Sequence, residues 1–428
     1  MKLAPYRCAV ATTGGGAMFD KGTLSELGGW TGYRVADLEY RPGEGWMGRG
    51  KLLIRLEPRG QTMRCSRCGQ ESRSVHDTTV RRIRDLPILD WDVVLIVPRR
   101  RLWCGHCGGP RLEALEWLSA HRRVTRRLEE AIGRLSRMMP LKQVAAFYGV
   151  GWHTVKAIDK ALLEQGVLEP DWRGIEYLGM DEFALHKGHR YATVIVEPLR
   201  RQVLWVGEGR SREAIRPFFE GLDEATRRRI KAVVMDMNTA FDLEVQAHCP
   251  HAEVVYDLFH VVAKYGREVI DRVRVDEANR LKKDRPARKV IKSARWLLLR
   301  NRENLETPEQ AVRLDELLAA NQALMTVHVL KEDLKRLWRY RHAGYAKRLW
   351  EGWYQRAMES AIAPLMQFAR RLRPYLQGIL AHCRHPLHTS VLEGINNRIK
   401  VIKRMAYGFR DTDYFFLKIR AAFPGNLR

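Results

Sequence analysis

The spacing of hydrophobic residues changes along the chain and predicts segments of different secondary structure. After Pro110 the apolar residues recur at helical spacing, in VTRRLEEAIGRLSRMM, LKQVAAFYG and HTVKAIDKALLEQ. From Ile175 the pattern becomes that of strands, in IEYLGMDEFAL, HRYATVIVEP and RQVLWVGEG. A helix, a buried strand, a second helix and another strand follow, in SREAIRPFFEGL, KAVVMDMN, TAFDLEVQAH and AEVVYDLFH. From about Glu268 to Arg384 amphipathic helices return, so the chain is predicted to be a multidomain α+β protein.

Two carboxylates stand out in the predicted strands. The order β-β-β-α-β-α-β, with Asp181 inside the first strand and Asp236 at the end of the fourth, is the RNase H-like layout. An acid in such an apolar strand is costly to bury unless it is paired or holds a metal. If the two strands are neighbours, both carboxylates meet at one edge of the sheet. Each acid taken alone is more often an ordinary strand-end residue or helix cap.

A third acid, Glu393, lies far downstream in HTSVLEGINNRIKVIKRMAYGFRD, on a predicted helix. Residues three, four and seven positions further on share its face of the helix. That face is predicted to meet both metal and DNA backbone, and the alternative is an ordinary solvated face. Its polar and basic members are Asn396, Asn397, Lys400, Lys403 and Arg404.

Two C-x-x-C pairs precede the helical region. Four thiolates can close a tetrahedral zinc site, and a glycine follows each pair. Disulfides are the alternative, but a chain kept in a reducing compartment favours zinc. The site leaves no open position for catalysis, so the unit is predicted to be a binding module. Its predicted ligands are Cys65, Cys68, Cys104 and Cys107, and its predicted phosphate-binding residues are Arg64, Arg67, Arg99, Arg100 and Arg101.

Two short predicted helices joined by a turn after Gly149 favour a helix-turn-helix, in which the second helix reads DNA. The turn is predicted at Val150 to Trp152, and a pair of helices in any α-rich protein is the alternative. The DNA-facing residues of the second helix are predicted to be His153, Thr154, Lys156 and Lys160.

Charge adds a partner to this picture. The chain has 75 Lys and Arg against 50 Asp and Glu, a formal charge of +25, which attracts a polyanion. Membrane surfaces and ribosomes are alternatives on charge alone. Neither a transmembrane run nor a secretory signal is seen, so a cytoplasmic, nucleoid-associated protein is expected. Residues 1–17 are expected to be a disordered leader without function, and the alternative is that a start codon placed too early adds them to the native protein.

The motifs together resemble the ISL-three family of bacterial insertion-sequence transposases, from Met18 to the C-terminus. The matching segments are GMDEFALHKGHRY, VVMDMNTAF with DLFHVV, and EGINNRIKVIKRMAYGFRD. The resemblance implies a DDE triad of Asp181, Asp236 and Glu393, and a D-x-x-H element of Asp257 and His260. It also implies a helical insertion between the second and third acids, whose tryptophans either contact unpaired bases or, more often, pack in the core. The implied domains are a zinc-binding domain (18–115), a helix-turn-helix domain (116–172), a catalytic core in two parts (173–267 and 385–428) and the insertion (268–384).

The function expected from this resemblance is DNA transposition. Two Mg²⁺ or Mn²⁺ ions at the triad would serve cleavage at the element ends and strand transfer, and Zn²⁺ would be structural. The expected partner is double-stranded DNA, both the terminal inverted repeats of the element and the target DNA. A second copy of the chain is expected to form a homodimer on the DNA, and no membrane partner is expected. The alternatives are a nuclease, or a DNA-binding regulator derived from a transposase.

Overall fold

The computed structural model describes residues 20–186, 188, 190–300, 302–385, 387 and 390–425, and the predicted leader lies outside them. The chain divides into two compact units, unit 1 over residues 1–165 and unit 2 over residues 166–428. In the described part of the chain, no helix is long and apolar enough to cross a membrane.

Unit 1 contains a sheet, a small two-stranded ribbon and a group of three helices. Its strands are β1 (Tyr33–Arg41), β2 (Gly50–Pro58), β3 (Met63–Arg64), β4 (Glu71–Ser72), β5 (Val75–Arg84), β6 (Trp91–Cys104) and β7 (Gly109–Leu112). Its helices are α1 (Lys21–Leu27), α2 (Arg126–Ser136), α3 (Leu141–Tyr148) and α4 (Trp152–Gly166), with a 3₁₀ turn at Trp46–Gly48.

The sheet of unit 1 has the order β1-β2-β6-β5, and β7 pairs with the end of β6. Consecutive residues of the central strands are buried, Leu52–Ile54 in β2 and Asp92–Leu95 in β6, so both sides of these strands are covered there. Leu52 and Ile54 of β2 pack with Val93 and Leu95 of β6 in one core. A second core, in which Val144 and its neighbours are buried, holds α2, α3 and α4 together.

Unit 2 contains one mixed sheet and many helices. Its strands are β8 (Tyr177–His186), β9 (Arg190–Glu197), β10 (Gln202–Glu208), β11 (Ala232–Met235) and β12 (Glu253–Tyr256). The helices before and just after β12 are α5 (Arg212–Glu220), α6 (Glu224–Arg229), α7 (Thr239–His248) and α8 (Leu258–Tyr265). The remaining helices are α9 (Asp271–Arg280), α10 (Arg285–Ser293), α11 (Arg295–Leu299), α12 (Pro308–Ala320), α13 (Gln322–Arg336), α14 (Ala343–Glu359), α15 (Ala363–Leu372), α16 (Leu376–Leu380), α17 (Ser390–Met405) and α18 (Thr412–Ala422). A π-helical turn at Gly266–Ile270 joins α8 to α9, and 3₁₀ turns lie at Arg302–Asn304, Leu337–Arg339, Arg373–Tyr375 and Ala381–Cys383.

The sheet of unit 2 has the order β10-β9-β8-β11-β12. β8, β9 and β10 are antiparallel neighbours, while β11 runs parallel to both β8 and β12. This is the predicted RNase H-like arrangement, with the additional short helix α6 before β11. Its two faces are both covered, because residues on alternate positions enter two separate cores.

One core of unit 2 continues from the sheet into the helices between β12 and α17. Met180 and Met235 belong to it, together with Trp350 and Trp353 of α14. Hydrogen bonds reinforce this packing, since the Trp353 indole N–H donates to the Leu330 carbonyl at 2.8 Å. The other core lies between the opposite face of the sheet and helices α17 and α18. The predicted helical insertion is therefore packed against one face of the sheet, and the helix that carries Glu393 against the other.

Candidate active site

Asp181 and Asp236 lie on neighbouring parallel strands. β8 and β11 pair with Met180 opposite Met235, and each aspartate directly follows its methionine. Because side chains alternate along a strand, both carboxylates point away from the core that holds the methionines. The predicted pairing of these two strands is confirmed, and it brings the two acids side by side.

Hydrogen bonds hold both carboxylate oxygens of Asp181. Oδ1 accepts from the Glu182 backbone N–H at 2.7 Å, and Oδ2 accepts from Nδ2 of Asn396 at 2.5 Å. Burial raises the pKa of Asp181 to about 6, and the negative charge of Asp236 contributes in the same direction. The Glu182 amide and His260 oppose that rise. The site therefore holds a carboxylate whose charge the protein only partly compensates.

Asp236 is paired with a histidine. Its Oδ2 lies 3.2 Å from Nδ1 of His260, and its Oδ1 accepts from the Met237 N–H at 2.7 Å. Burial raises the pKa of Asp236, but the hydrogen bond and charge of His260 outweigh it, so the net shift is downward. The hydrogen bond that Asp236 accepts from His260 correspondingly raises the pKa of His260. Asp236 thus stays ionised beside a histidine that favours its protonated form.

Asp257 lies at the same edge of the sheet. It follows Tyr256, the last residue of β12, which pairs with Met235 of β11. It also caps the start of α8, the helix that carries His260, and its charge helps to raise the pKa of His260. Asp181 within β8, and Asp236 and Asp257 just after β11 and β12, therefore occupy equivalent positions on three neighbouring strands.

The helix that carries Glu393 packs on the strand that carries Asp181. The close approach depends on Gly179, where an added Cβ would lie 3.0 Å from the Leu392 side chain. Leu392 is buried in the shared core, and the Lys403 ammonium donates to the Ala184 carbonyl at 2.8 Å. Glu393 itself is exposed.

The three acids do not form a tight cluster. Among the described residues, the four cysteines of unit 1 are the only group of three or more His, Cys, Asp or Glu whose ligand atoms all lie within 4.8 Å of one another. Asp181 and Asp236 are on adjacent strands, and Glu393 lies on the helix that packs against the strand of Asp181.

The cysteine cluster in unit 1 has the dimensions of a zinc site. Sγ of Cys65 lies 4.0 Å from Sγ of Cys107, and Sγ of Cys68 lies 3.6 Å from Sγ of Cys104. A disulfide needs about 2.05 Å, whereas thiolates around one zinc at about 2.3 Å lie about 3.8 Å apart. Gly69 is in the left-handed region at φ 74°, which lets the chain turn tightly after Cys68. The four sulfurs form a structural zinc site rather than two disulfides.

The helix-turn-helix of unit 1 is formed by α3 and α4. Gly149 ends α3 at φ 61°, and an added Cβ there would lie 2.9 Å from the Trp46 side chain. Val144, Val155 and Ile158 are buried between the helices, as their spacing predicts. The second helix begins at Trp152, inside the segment predicted as the turn.

Comparison with known families accounts for all three regions. A DDE transposase model of the ISL3 type matches residues 178–419, which is more than half of the chain. The helix-turn-helix domain of transposase family ISL3 matches residues 113–163, and the zinc finger of transposases IS204, IS1001, IS1096 and IS1165 matches residues 61–107. This chain belongs to the ISL3 family of transposases.

Individual relatives of the transposase agree with the family match. The transposase for insertion sequence element IS1001 of Bordetella parapertussis is 62% identical over 411 residues, which cover 96% of this chain and 100% of that protein. The transposase for insertion sequence element IS1557 of Mycobacterium tuberculosis, found in two strains, is 25% identical over 402 residues. That alignment covers 88% of this chain and 89% of the relative.

Two arginines predicted to bind phosphates are buried in the transposase. The Arg100 guanidinium donates to both carboxylate oxygens of Glu113, at 3.0 and 2.5 Å, and only 7% of the residue is exposed. Arg99 is 6% exposed and donates to the Glu113 carbonyl. The expectation that Arg99 and Arg100 contact DNA was wrong, because Glu113 holds both side chains in the interior, Arg100 through its carboxylate and Arg99 through its backbone carbonyl.

The other predicted DNA-binding residues of unit 1 remain at the surface to different degrees. Arg64 is exposed and pairs with Glu71, Arg67 is exposed, and Arg101 is exposed and pairs with Asp77. On α4, His153 and Thr154 are exposed. Lys156 and Lys160 are half-buried.

The polar face predicted around Glu393 divides into two groups. Asn397, Lys400 and Arg404 are exposed beside Glu393, and the Lys400 ammonium lies 3.4 Å from Oδ1 of Asn397. Asn396 instead is 7% exposed and reaches Asp181. It does not belong to the predicted DNA-contacting face.

The position of Asn396 could have been found from the sequence. Leu392, Ile395 and Ile399 are buried, and Asn396 falls within the same helical stripe, four residues after Leu392. An amide in an otherwise apolar stripe signals a buried polar contact. The sequence interpretation grouped it with Glu393 instead.

The tryptophans of the insertion are mostly core residues. Trp350 is 3% exposed, Trp353 is fully buried and Trp338 packs partly against the same core. Trp296 differs, because it is 64% exposed with the Arg295 guanidinium 5.3 Å from its ring centroid. Three of these four tryptophans are therefore core residues, the role that the sequence analysis favoured.

Proposed function

We propose that this transposase cuts DNA at the ends of an insertion sequence and joins them to target DNA, at a site made by Asp181, Asp236 and Glu393. The observation that carries the proposal is the parallel pairing of β8 and β11, which sets Asp181 beside Asp236. The packing of α17 on β8 supports Glu393 as the third member.

The donor set suits a hard divalent cation. Carboxylate oxygens are preferred by Mg²⁺ and Mn²⁺, and Asp181, Asp236 and Glu393 are the residues that would hold these ions. Bound there, two such ions would activate the attacking hydroxyl group and stabilise charge on the leaving oxygen.

The protein residues orient the reaction and take no covalent part in it. Water attacks the phosphorus at the element end, and the bond from phosphorus to the leaving 3′-oxygen breaks to free a 3′-hydroxyl. That hydroxyl then attacks a target phosphodiester, so one P–O bond forms as another breaks. The exposure of Glu393 leaves the edge accessible to both DNA substrates.

DNA is proposed to contact polar and basic residues of each unit that are exposed or half-buried. A phosphate backbone is bound by such residues without regard to sequence, whereas a helix-turn-helix can read bases. In unit 1 the proposed contacts are Arg64, Arg67, Arg101, His153, Thr154, Lys156 and Lys160. In unit 2 they are Asn397, Lys400, Lys403 and Arg404.

We also propose that the transposase works as a homodimer on DNA in the bacterial cytoplasm. Two element ends must be held together before they are joined to one target, and each end needs a catalytic site. Sedimentation of the protein with and without end DNA tests this. A complex with one protein chain for two ends would contradict it.

Cleavage of labelled element-end DNA with Mg²⁺ or Mn²⁺ tests the catalytic site. Glu393→Gln keeps the shape of the side chain and removes its charge, and we expect it to abolish cutting while DNA binding is retained. Glu316→Gln, an exposed acid of α12, serves as the matched control and should cut like the wild type.

Each other result has a distinct meaning. Normal cutting by Glu393→Gln would place the third acid elsewhere. Cutting by the wild type without joined products would indicate a nuclease. A wild type that binds authentic ends without cutting them would indicate a DNA-binding regulator.

A further inference from the structure

Asn396 connects the helix of the third acid to the first acid. It lies on α17 one turn after Glu393, in the helix stripe that packs on the sheet. Its Nδ2 donates to Oδ2 of Asp181 at 2.5 Å, a short hydrogen bond to a charged acceptor. The residue is 7% exposed, so this bond is shielded from water.

The other end of the Asn396 amide is unsatisfied within the described part of the chain. Its Oδ1 is buried and accepts no hydrogen bond there. A buried acceptor left without a partner carries an uncompensated desolvation cost, which an apolar residue of similar size would avoid. Stability alone therefore does not explain an asparagine among Leu392, Ile395 and Ile399.

The hydrogen bond completes the fixation of the Asp181 carboxylate. The Glu182 N–H holds Oδ1, and Asn396 holds Oδ2. With one donor on each oxygen, the plane of the carboxylate is set by the protein. Each oxygen still has a lone pair for another partner.

Three contacts align α17 along β8. Leu392 lies over Gly179, Asn396 bonds to Asp181, and Lys403 bonds to Ala184, so the helix advances in the same direction as the strand. Glu393 lies between the first two of these contacts. Its height above the sheet is therefore fixed on both sides by residues that touch β8.

We propose that Asn396 is a positioning residue that orients the Asp181 carboxylate and sets Glu393 at the same edge, so that both acids can bind divalent cations. This inference rests on the proposed function, since it concerns the same carboxylates. Asn396 acts through Asp181 and needs no contact with DNA.

Binding of Mn²⁺ to the protein alone tests the inference, measured by the paramagnetic resonance signal of free Mn²⁺ with the zinc site filled and no DNA present. Loss of a residue that orients a metal ligand commonly lowers metal affinity about 10- to 100-fold. We expect Asn396→Ala to raise the dissociation constant for Mn²⁺ by about that factor. Cleavage of end DNA by this variant should recover as Mn²⁺ is raised.

Two further variants separate this role from simple loosening of the helix. Ile399→Val removes one methyl group from the same buried face without touching Asp181, and it should leave Mn²⁺ affinity unchanged. Asn396→Leu keeps the approximate size of the side chain and removes the donor without adding charge, and it should bind Mn²⁺ no better than Asn396→Ala. Thermal unfolding of all three variants checks that they are folded.

The outcomes distinguish this inference from the proposed function. Asp181→Asn should not cut at any Mn²⁺ concentration. If it does not cut but Asn396→Ala binds Mn²⁺ like the wild type, the positioning role is wrong and the proposed function stands. If Asp181→Asn cuts normally, both are wrong.

Discussion

The zinc site of unit 1 and the carboxylate site of unit 2 hold their ligands in opposite ways. In the zinc site, Sγ of Cys65 lies 4.0 Å from Sγ of Cys107, and Sγ of Cys68 lies 3.6 Å from Sγ of Cys104. Cys65 and Cys104 are fully buried. The acids of unit 2 come from β8, the end of β11 and α17, and Glu393 is exposed. One site is closed before any substrate arrives, and the other is open.

The two units also differ in how far a buried charge is compensated by its neighbours. The buried charge of Arg100 in unit 1 is matched by Glu113, with which it forms two hydrogen bonds. In unit 2 burial raises the pKa of Asp181 to about 6, which means that its negative charge is not fully compensated. A charge buried for structural reasons needs its partner, because loss of that partner leaves an uncompensated charge, whereas the proposed cation site leaves negative charge available for metal ions. The following predictions test that contrast.

The largest effect is expected from loss of zinc. Cys104→Ser removes one of four ligands, and a structural zinc contributes about 10–16 kcal/mol to the folding of a small zinc-binding peptide. We expect the segment around β3, β4 and β7 to lose its structure and element-end binding to fall to the level of nonspecific DNA. Zinc content and hydrogen exchange of these strands measure the change.

The matched control for this prediction is Cys249→Ser, which changes a cysteine of unit 2 outside the cluster. It should keep its zinc and its binding to element ends. A Cys104→Ser protein that retained one zinc and native exchange in unit 1 would show that three thiolates suffice.

The second prediction concerns the open site. Asp236→Asn removes one acid, and loss of a metal-based interaction of several kcal/mol lowers a rate by about 10²–10⁴. Cleavage should fall by this factor while zinc content and end binding stay unchanged, because the zinc ligands and the residues proposed to read DNA lie in unit 1. A parallel loss of end binding would mean that Asp236 supports the fold more than the chemistry.

The third prediction compares adjacent arginines. Removal of one partner from a buried pair costs about 3–5 kcal/mol, whereas an exposed pair contributes about 0–1 kcal/mol. Arg100→Ala should therefore lower the free energy of unfolding of unit 1 strongly, and Arg101→Ala only slightly. Denaturant unfolding of the isolated variants measures both. Equal effects would show that the Arg100–Glu113 pair has no special role.

The catalytic sheet could be predicted from sequence because its signals are local. Apolar runs mark β8 and β11, and the acids at Asp181 and Asp236 interrupt them at equivalent points. The burial of the Arg100 side chain could not be predicted in this way. It depends on Glu113, which lies 13 residues downstream and meets Arg100 only after β6 and β7 have paired. The contact between Asn396 and Asp181 spans 215 residues and likewise exists only in the fold.

The smallest effect is expected in the stability of unit 2. The pKa of Asp181 is about 6 in the folded protein, against an ordinary value of 3.8. Because the raised pKa means that the fold disfavours the charged form, this group lowers the free energy of unfolding as the pH rises from about 4 to 6. Asp181→Asn has no such charge and should be more stable than the wild type by about 1–2 kcal/mol at pH 7.5, after discounting for partial exposure.

Denaturant unfolding at pH 7.5 and pH 4, without added Mg²⁺ or Mn²⁺, measures this difference, which should shrink at the lower pH. Asp276→Asn, an exposed acid of α9, is the control and should match the wild type at both values. An Asp181→Asn protein less stable than the wild type at pH 7.5 would mean that Glu182 and Asn396 compensate the carboxylate fully. Loss of a zinc ligand would then destabilise unit 1, and loss of Asp181 would likewise destabilise unit 2. The proposed difference between the two sites, one stabilised by its ligands and the other not, would be wrong.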